Sequence, residues 1–323
     1  MADSVRKIGI LFGMERSFPP VLAEALNRMG GGRVEATAVK IGALRQDLPA
    51  EYDVILDRIS HEIPFYRTYL KCAAATGTQV VNNPFWWSAD DKFFNNVIAR
   101  AAGVAVPRTV LLPHKEHPPN TSDASFSNLE YPLDWDAIFD HLRFPIFMKP
   151  ADGGGWRDVY KVDDPIGFFN AYDRTHTLSM MAQEAIEFTE YYRCYVLGRS
   201  RVHVMRYDPK QPMERRYVQG APPTEKSLFA RIERDCVTLC TELGYEFNTV
   251  EFAVRDGVPY AIDFMNPAPD CDAASVGAAN FEWIVRNAAE LLLDRALRPR
   301  PVETAGAWTR RVPVPPAAPA ARP

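Results

Sequence analysis

An acidic hairpin near the C-terminal end is the first segment whose residues are suited to chemistry. Residues 248–266 read NTVEFAVRDGVPYAIDFMN, which predicts two antiparallel strands joined by a turn at Asp256 and Gly257. Glu251 would lie on the first strand, with Asp263 and Asn266 on the second. Acids on neighbouring strands can face each other, and a cation such as Mg²⁺, which prefers oxygen ligands, would relieve their repulsion. Two exposed acids on opposite faces of the hairpin are the alternative.

A lysine followed by a glycine-rich turn is the second candidate. Lys149 ends the apolar segment FPIFMK, and residues 151–158 then read ADGGGWRD. Because glycine has no Cβ, the backbone N–H groups of Gly153, Gly154 and Gly155 could approach phosphate oxygens closely. The segment predicts a phosphate-binding hairpin, although a flexible hairpin tip would have the same composition.

A second lysine lies near the start of a predicted helix. Residues 88–102 read SADDKFFNNVIARAA, with one apolar stripe, with Ser88 as the N-cap and with Asp91 three positions on. Lys92 would extend from the first turns of this helix. Taken alone, it could equally be a solvated lysine.

An acidic segment follows the apolar strand predicted at 178–186. Residues 183–190 read QEAIEFTE. A linker between two domains could hold an adenine, with backbone groups bonded to the base edge and a carboxylate bonded to the ribose hydroxyls. An edge strand with exposed acids is the alternative.

The elements that must position these residues begin with alternating strands and helices over residues 1–84. This alternation predicts a parallel, doubly wound domain. Arg58 and His61 lie at the end of one of its strands, where ligand-binding crevices form, and arginine suits a carboxylate ligand. A pair that bonds only to protein backbone is the alternative.

Two segments stand outside this pattern. The polar insertion at 113–133 predicts a functional flap or a disordered loop. The Pro- and Ala-rich residues 299–323 predict a disordered tail.

Composition limits the functional class. The net charge is −4 and the pI about 5.9, which predicts no attraction to nucleic acid or membranes. No apolar run reaches the roughly 18 residues that span a bilayer. Five cysteines without a CxxC pair predict reduced thiols in a cytoplasmic protein.

Taken in order, these parts resemble the ATP-grasp superfamily, over almost everything except the tail. The resemblance is nearest to the amide-forming group that includes glutathione synthetase, D-alanine–D-alanine ligase and the ribosomal-protein glutamate ligases. It implies an α/β (α+β) ATP-grasp architecture. A parallel α/β pre-grasp domain would span 1–84, a subdomain with the lysine helix and glycine lid 85–182, and a C-terminal subdomain with the metal hairpin 183–298.

The resemblance also implies roles for individual residues. The residues that would bind ATP are Lys92, Lys149, Gly153, Gly154, Gly155, Gln183, Glu184, Ala185, Ile186 and Glu190, with Glu190 as the ribose acid. The metal ligands would be Glu251, Asp263 and Asn266, for Mg²⁺ or alternatively Mn²⁺. Arg193 and Arg206 would act in catalysis, and Arg58 and His61 would meet substrate.

Two departures from the family pattern concern this site. The family commonly has Glu-x-Asn where this chain has Asp263 and then Asn266, so Asn266 either reaches in through a β-bulge or is not a ligand. No arginine lies two residues before Glu251, so Arg193, Arg206 or Arg216 would have to substitute.

The implied reaction has two steps. A carboxylate attacks the γ-phosphate of ATP to form an acyl phosphate, and an amine then displaces phosphate. The implied partners are a small-molecule carboxylate and an amine, and a homodimer is the default oligomeric state. Three alternatives stay open: a non-amine acceptor or a kinase, a modifier of another protein, and a nucleotide-binding protein without ligase activity.

Overall fold

The described part of the chain forms three sheets. The computed structural model describes residues 4–45, 51–85, 91–212, 215–220 and 222–301. Within these residues, each sheet has four strands and follows the previous one along the chain. None of the helices described there combines the length and apolar character that crossing a membrane would need.

The first sheet is parallel and has the strand order β2-β1-β3-β4. Its elements are β1 (Arg6–Leu11), α1 (Phe18–Gly30), β2 (Val34–Ala38), β3 (Val54–Asp57), α2 (Pro64–Ala75) and β4 (Gln79–Val81). Apolar residues fill both faces of β1 and β3, as a parallel sheet covered by helices requires. The predicted alternation of strands and helices is therefore confirmed.

The second sheet is antiparallel and has the order β5-β8-β6-β7. The elements of this region are α3 (Lys92–Ala101), β5 (Thr109–Leu112), α4 (Trp135–Leu142), β6 (Ile146–Pro150), β7 (Tyr160–Val162), α5 (Pro165–Tyr172) and β8 (Met180–Glu184). Aromatic residues of α4 and α5 pack together on one face of the sheet. The glycine-rich turn joins β6 to β7, as the sequence predicts.

The third sheet is also antiparallel and has the order β10-β9-β11-β12. The elements of this region are β9 (Glu190–Leu197), β10 (Arg201–Arg206), α6 (Lys226–Leu243), β11 (Phe247–Arg255), β12 (Val258–Phe264), α7 (Ala273–Val276) and α8 (Ala278–Leu297). Helix α8 packs against α1 and the first sheet. One apolar core therefore joins the first sheet to the third. The domain boundaries at 84 and 182 stay predictions.

Two predicted helices have different bounds in the structure. Helix α3 begins at Lys92, because Asp91 is its N-cap and accepts a hydrogen bond of 2.9 Å from the backbone N of Phe94. Ser88, the predicted N-cap, lies outside the described residues. The single helix predicted at 275–297 is interrupted by Gly277, whose φ of +81° cannot continue a helix.

The insertion at 113–133 is described throughout and contains a short 3₁₀ helix, Asp123–Phe126. It is attached to the end of α5 by an ion pair of 2.8 Å between Lys115 and Asp173. The prediction of a disordered C-terminal tail concerns residues 299–323, and those after 301 lie outside the described part of the chain.

Candidate functional site

A cleft between the second and third sheets brings most of the predicted nucleotide-binding residues together. Its lining includes Lys92, Lys149, Gly153, Gly154, Gly155, Gln183, Glu184, Ile186, Glu251 and Asp263. They come from α3, β6, the glycine turn, the end of β8 and the hairpin β11–β12. Residues separated by more than 150 positions therefore meet in one concave site.

The two lysines approach the cleft from opposite elements. The side chain of Lys92 contacts the carbonyl oxygen of Gly153, and its backbone N donates to Ala151 O at 2.9 Å. These bonds tie the start of α3 to the glycine turn. The Nζ of Lys149 donates to Ile262 O at 3.3 Å.

The side chain of Lys149 is partly buried in the cleft. Burial lowers the pKa of Lys149, the carboxylate of Asp263 opposes this shift, and the charge of Lys92 adds to it. An anionic ligand beside Lys149 would stabilise its charge. An anionic ligand in the cleft would therefore have a cation to pair with.

Glu251 and Asp263 are directly opposite each other in the register of β11 and β12. Burial raises the pKa of Glu251; the charge of Arg193 opposes the shift and that of Asp263 adds to it. Glu251 accepts hydrogen bonds from Tyr191 Oη at 2.6 Å and from Arg193 at 3.1 Å. The two acids therefore lie opposite each other on neighbouring strands of the hairpin, as the sequence predicts.

A register shift lies between Glu251 and Phe252, and it leaves Ile262 as the extra residue on β12. Asn266 lies on the wall of a second cavity that Glu251 and Asp263 also line. The backbone N of Asn266 donates to Asn248 Oδ1 at 2.7 Å. This bulge precedes Asp263 and does not change the spacing from Asp263 to Asn266, so the role of Asn266 stays a prediction, although Asn266 lines the same cavity as the two acids.

The donor set suits a hard cation. Two carboxylates and one amide oxygen are the ligands that Mg²⁺ accepts together with waters and phosphate oxygens. In the described ranges, no three side chains of His, Cys, Asp and Glu are clustered for metal binding. A metal ion here would therefore be coordinated by two carboxylates, one amide oxygen, water and phosphate oxygens of a bound nucleotide.

The residues of the predicted adenine-binding segment at 183–190 make different contacts from one another. The Glu184 carboxylate bonds Arg108 at 3.0 Å and Arg255 at 2.9 Å, joining the second sheet to the third. The backbone N of Ala185 donates to Pro145 O at 3.0 Å. No backbone bond in the part of the chain that the structure describes uses the N–H of Ile186, which lines the cleft. Gln183 is buried and donates to Thr109 Oγ1 at 3.0 Å.

Glu190 and Arg206 contact each other outside the cleft lining. The Glu190 carboxylate also accepts from Tyr192 Oη at 2.6 Å, and the Arg206 guanidinium lies 4.7 Å from the Tyr192 ring centroid. Of the two arginines predicted to act in catalysis, Arg193 adjoins the paired acids and Arg206 adjoins Glu190.

The predicted substrate residues Arg58 and His61 line neither of these two cavities. The Arg58 side chain is 1% exposed; it bonds Glu15 through Nε at 3.0 Å and Pro269 O at 2.6 Å. The Nε2 of His61 lies 3.6 Å from Glu62. The structure thus places Arg58 as a link between the first sheet and the loop before α7.

The second cavity adjoins the cleft and contains residues that sequence reasoning missed. They are Tyr207, Tyr217, Asp270 and Ser275; Trp156 of the glycine-rich turn also lines the cavity, and Arg216 was considered only as a substitute arginine. Most lie in loops after β10 and β12, and no linear pattern connects them. A surplus of Tyr and Arg at 206–217 is the only signal that could have pointed to them.

Comparisons with known proteins identify similar folds only. No family model matches the sequence, and no curated protein matches it. Among solved structures, a RimK-domain ATP-grasp protein from Sphaerobacter thermophilus has a TM-score of 0.64 at 18% identity, over 90% of this chain and 99% of that one. D-alanine–D-alanine ligase from Bacillus anthracis, complexed with ATP, has a TM-score of 0.62 at 16% identity, over 91% of this chain and 98% of that one. The ATP-grasp ligase PsnB, complexed with a minimal precursor, Mg and ADP, has a TM-score of 0.57 at 16% identity, over 90% of this chain and 98% of that one.

Proposed function

We propose that this chain, whose fold is the ATP-grasp fold, is an ATP- and Mg²⁺-dependent ligase that joins a carboxylate to an amine. The observation that carries the proposal is the cleft in which Lys92, Lys149, the glycine turn and the Glu251–Asp263 pair meet. Two cations, flexible backbone donors and two acids are the parts that phosphoryl transfer needs.

The nucleotide would occupy the cleft between the two antiparallel sheets. Lys92 and Lys149 would offset phosphate charge, and the turn at Gly153, Gly154 and Gly155 would cover the phosphates with backbone N–H groups. The N–H of Ile186 would bond the adenine edge. Glu190, the proposed ribose acid, would reach the ribose hydroxyls only with a change in its contact to Arg206.

Glu251, Asp263 and Asn266 would hold Mg²⁺, and Mn²⁺ would fit the same oxygen donors. The bound cation would neutralise charge on the β- and γ-phosphates. Tyr191 and Arg193 hold the Glu251 carboxylate in place through its two oxygens. Arg193 also faces the second cavity, where it would orient the carboxylate that attacks.

The proposed reaction forms an acyl phosphate and then an amide. A carboxylate oxygen attacks the γ-phosphorus, and the bond to ADP breaks. The amine then attacks the carbonyl carbon, loses a proton, and phosphate leaves with the bonding electron pair. The glycine turn would close over both cavities and exclude water, which would otherwise hydrolyse the acyl phosphate.

Thermal stability with and without Mg·ATP tests the nucleotide site. A ligand that binds only the folded state raises the melting temperature, so the wild type should show a clear rise. The variant Glu251→Gln should show a smaller rise with Mg·ATP. The exposed control Glu116→Gln, in the insertion, should respond as the wild type does. No rise for the wild type at saturating Mg·ATP would contradict the proposal.

Trapping with hydroxylamine tests the ligase step. Incubation with Mg·ATP, hydroxylamine and a panel of carboxylic acids should yield a hydroxamate from at least one acid, with release of ADP. Stabilisation by Mg·ATP without hydroxamate or ADP would favour the second candidate, a nucleotide-binding protein without turnover. The Arg193 guanidinium bonded to Glu251 and the longer spacing to Asn266 are the observations that favour this candidate.

A further inference from the structure

Strand β12 ends at Phe264, two residues before Asn266. Side chains alternate between the two faces of a strand, so residues two apart share a face and residues three apart do not. A regular strand continued from Asp263 would therefore point Asn266 away from the paired acids. Asn266 nevertheless lines the same cavity as Glu251 and Asp263. The chain must leave the regular strand between Asp263 and Asn266.

Met265 is the residue at which the chain leaves the strand. Its φ is +75°, in the left-handed region that residues with a Cβ rarely adopt. The side chain of Met265 is buried in the same apolar cluster as that of its neighbour Phe264. Two consecutive side chains in one cluster show that the alternation is broken here. The break brings the next residue, Asn266, to the side of the acids.

The side chain of Asn248 holds the chain in this course. Asn248 lies on β11 and is fully buried. Its Oδ1 accepts a hydrogen bond of 2.7 Å from the backbone N of Asn266. If the register that pairs Val250 with Phe264 continued by two residues, Asn248 would lie opposite Asn266. The bond across the hairpin is thus made at this point by a side chain instead of by the backbone ladder.

Two sulfur atoms lie against the other end of the Asn248 amide. Its Nδ2 is 3.4 Å from the Sγ of Cys240 and 3.9 Å from the Sδ of Met265. Sulfur is a weak acceptor, so the amide nitrogen is directed to the sulfurs and the stronger acceptor, its oxygen, to Asn266. Asn248 therefore contacts both the left-handed residue and the residue that follows it.

The side chain of Asn266 keeps a lone pair for a cation. Its Oδ1 accepts a hydrogen bond of 3.2 Å from the backbone N of Ala268. An amide oxygen has two lone pairs, so this bond leaves one of them for a metal ion. The oxygen can therefore serve as a ligand without breaking the bond that orients it.

We propose that Asn248 is a positioning residue of the metal site. It holds the left-handed turn at Met265, and the turn presents the amide oxygen of Asn266 to the Mg²⁺ ion at the two acids. This inference rests on the proposed function and deepens it, because it accounts for the longer spacing between Asp263 and Asn266. Backbone strain of this kind persists only where neighbouring contacts hold it, and Asn248 supplies such a contact.

A purely structural role for Asn248 is the alternative. A buried backbone N–H needs an acceptor, and Asn248 would then do no more than supply one to Asn266. In that case, loss of the acceptor would lower the stability of the protein and leave its affinity for Mg²⁺ unchanged. The Mg²⁺ dependence therefore separates the two roles.

Asn248→Ala tests the proposal in the full-length chain. The measured quantity is the Mg²⁺ concentration that gives half of the maximal rise in melting temperature, at a fixed concentration of a non-hydrolysable ATP analogue. Each rise is taken from the variant's own melting temperature without ligand. The concentration should increase roughly tenfold, since groups that orient metal ligands typically contribute 10–100-fold to metal affinity. Asn248→Asp keeps an acceptor oxygen at the same position and should restore most of the wild-type value.

Asn266→Ala and the double variant show whether Asn248 acts through Asn266. Asn266→Ala should raise the half-maximal Mg²⁺ concentration at least as much as Asn248→Ala does. The double variant should raise it no further, because the ligand that Asn248 positions is already gone. Asn27→Ala is the matched control, since Asn27 Oδ1 accepts a hydrogen bond of 2.8 Å from the backbone N of Ala36, in the first sheet. It should lower the melting temperature and leave the Mg²⁺ dependence unchanged.

The failure of this inference is distinguishable from that of the proposed function. A wild-type Mg²⁺ dependence in Asn248→Ala, or additive effects in the double variant, would overturn the inference and leave the nucleotide site standing. A wild-type Mg²⁺ dependence in Asn266→Ala would do the same, and it can be measured even if Asn248→Ala does not fold. If Mg²⁺ and the ATP analogue do not stabilise the wild type, the proposed function fails, and this inference fails with it.

Discussion

The hydroxyl of Tyr191 donates a hydrogen bond of 2.6 Å to one carboxylate oxygen of Glu251, and Arg193 donates to the other oxygen at 3.1 Å. Tyr191 and Arg193 are two residues apart on β9, so their side chains point to the same face of the sheet. Glu251 lies opposite Arg193 on the neighbouring strand. The proposed metal ligand is therefore oriented by a single adjacent strand.

Tyr191→Phe should weaken Mg²⁺ binding without removing any proposed metal ligand. Loss of one donor leaves the Glu251 carboxylate free to turn, and groups that orient metal ligands typically contribute roughly 10–100-fold to metal affinity. The expected result is a Mg²⁺ concentration for half-maximal thermal stabilisation that rises roughly tenfold, measured with a fixed concentration of a non-hydrolysable ATP analogue.

Tyr172→Phe is the control for this measurement. The Tyr172 hydroxyl also makes a 2.6 Å hydrogen bond, to Pro113 O in the region of the insertion, far from the paired acids. Its removal should lower the melting temperature but leave the Mg²⁺ dependence unchanged. An unchanged Mg²⁺ dependence in Tyr191→Phe would show that Arg193 alone fixes Glu251.

Lys149→Met should weaken nucleotide binding and leave the fold intact. A contact between a buried ammonium and a phosphate should contribute about 1.5–3 kcal/mol, so the dissociation constant should rise roughly tenfold or more. Because burial lowers the pKa of Lys149, its charged form is destabilised in the free protein, and the variant should be no less stable without nucleotide.

Calorimetric titration with the non-hydrolysable ATP analogue measures this effect. Lys115→Met is the matched control, since Lys115 is half-exposed and paired with Asp173 on the insertion. The affinity of Lys115→Met for the ATP analogue should equal that of the wild type. Equal affinities for all three proteins would remove Lys149 from the nucleotide site.

Glu184 should make stability depend on pH in the acidic range. Burial alone raises the pKa of Glu184, but the hydrogen bonds from Arg108 and Arg255 outweigh it and hold the pKa below its ordinary value. A carboxyl whose folded-state pKa is depressed contributes stability above its unfolded-state pKa. That contribution is lost as pH falls through the folded-state pKa.

Glu184→Gln should therefore be less stable than the wild type at pH 7, with the difference shrinking below about pH 4. Urea denaturation at both pH values measures the free energy of unfolding. Asp173→Asn, which alters an exposed ion pair in the insertion, should show little difference at either pH. A difference between Glu184→Gln and the wild type that does not change with pH would mean that the charge of Glu184 is not what joins the two sheets.

Much of the fold could be predicted because it depends on local patterns. Alternation of apolar strands and helices determined the first sheet, and the turn at Asp256 and Gly257 determined the hairpin. The two lysines and the glycine turn were recognisable because each stands at the end of a regular element. Their positions on one cleft follow from the order of the sheets.

The rest depends on contacts that no linear spacing encodes. Arg216 and Asp270 line one cavity from two irregular loops, and the bulge at Ile262 follows from how β11 and β12 pair. The break at Gly277 was missed because the flanking residues are ordinary helix formers. A strand-end arginine such as Arg58 has the same sequence pattern whether it bonds substrate or protein.

Arg58→Lys separates these two roles for Arg58. The guanidinium bonds Glu15 and Pro269 O, and it lies 5.2 Å and 5.3 Å from the ring centroids of Phe18 and Phe247. A lysine keeps the charge but cannot reproduce both bonds, because it lacks the planar fork of donors. We expect the free energy of unfolding, measured in urea, to fall by about 1–3 kcal/mol.

The accompanying variants make the comparison decisive. Glu15→Gln leaves the buried Arg58 charge with a neutral partner, so it should also lower the free energy of unfolding. Because the two residues share one contact, the double variant should lose less free energy of unfolding than the sum of the two single losses. Stabilisation by Mg·ATP should persist in all three, because neither residue lines the cleft. If Arg58→Lys instead kept full stability and lost only turnover, Arg58 would be a substrate ligand, reached by a movement of the loop at Pro269.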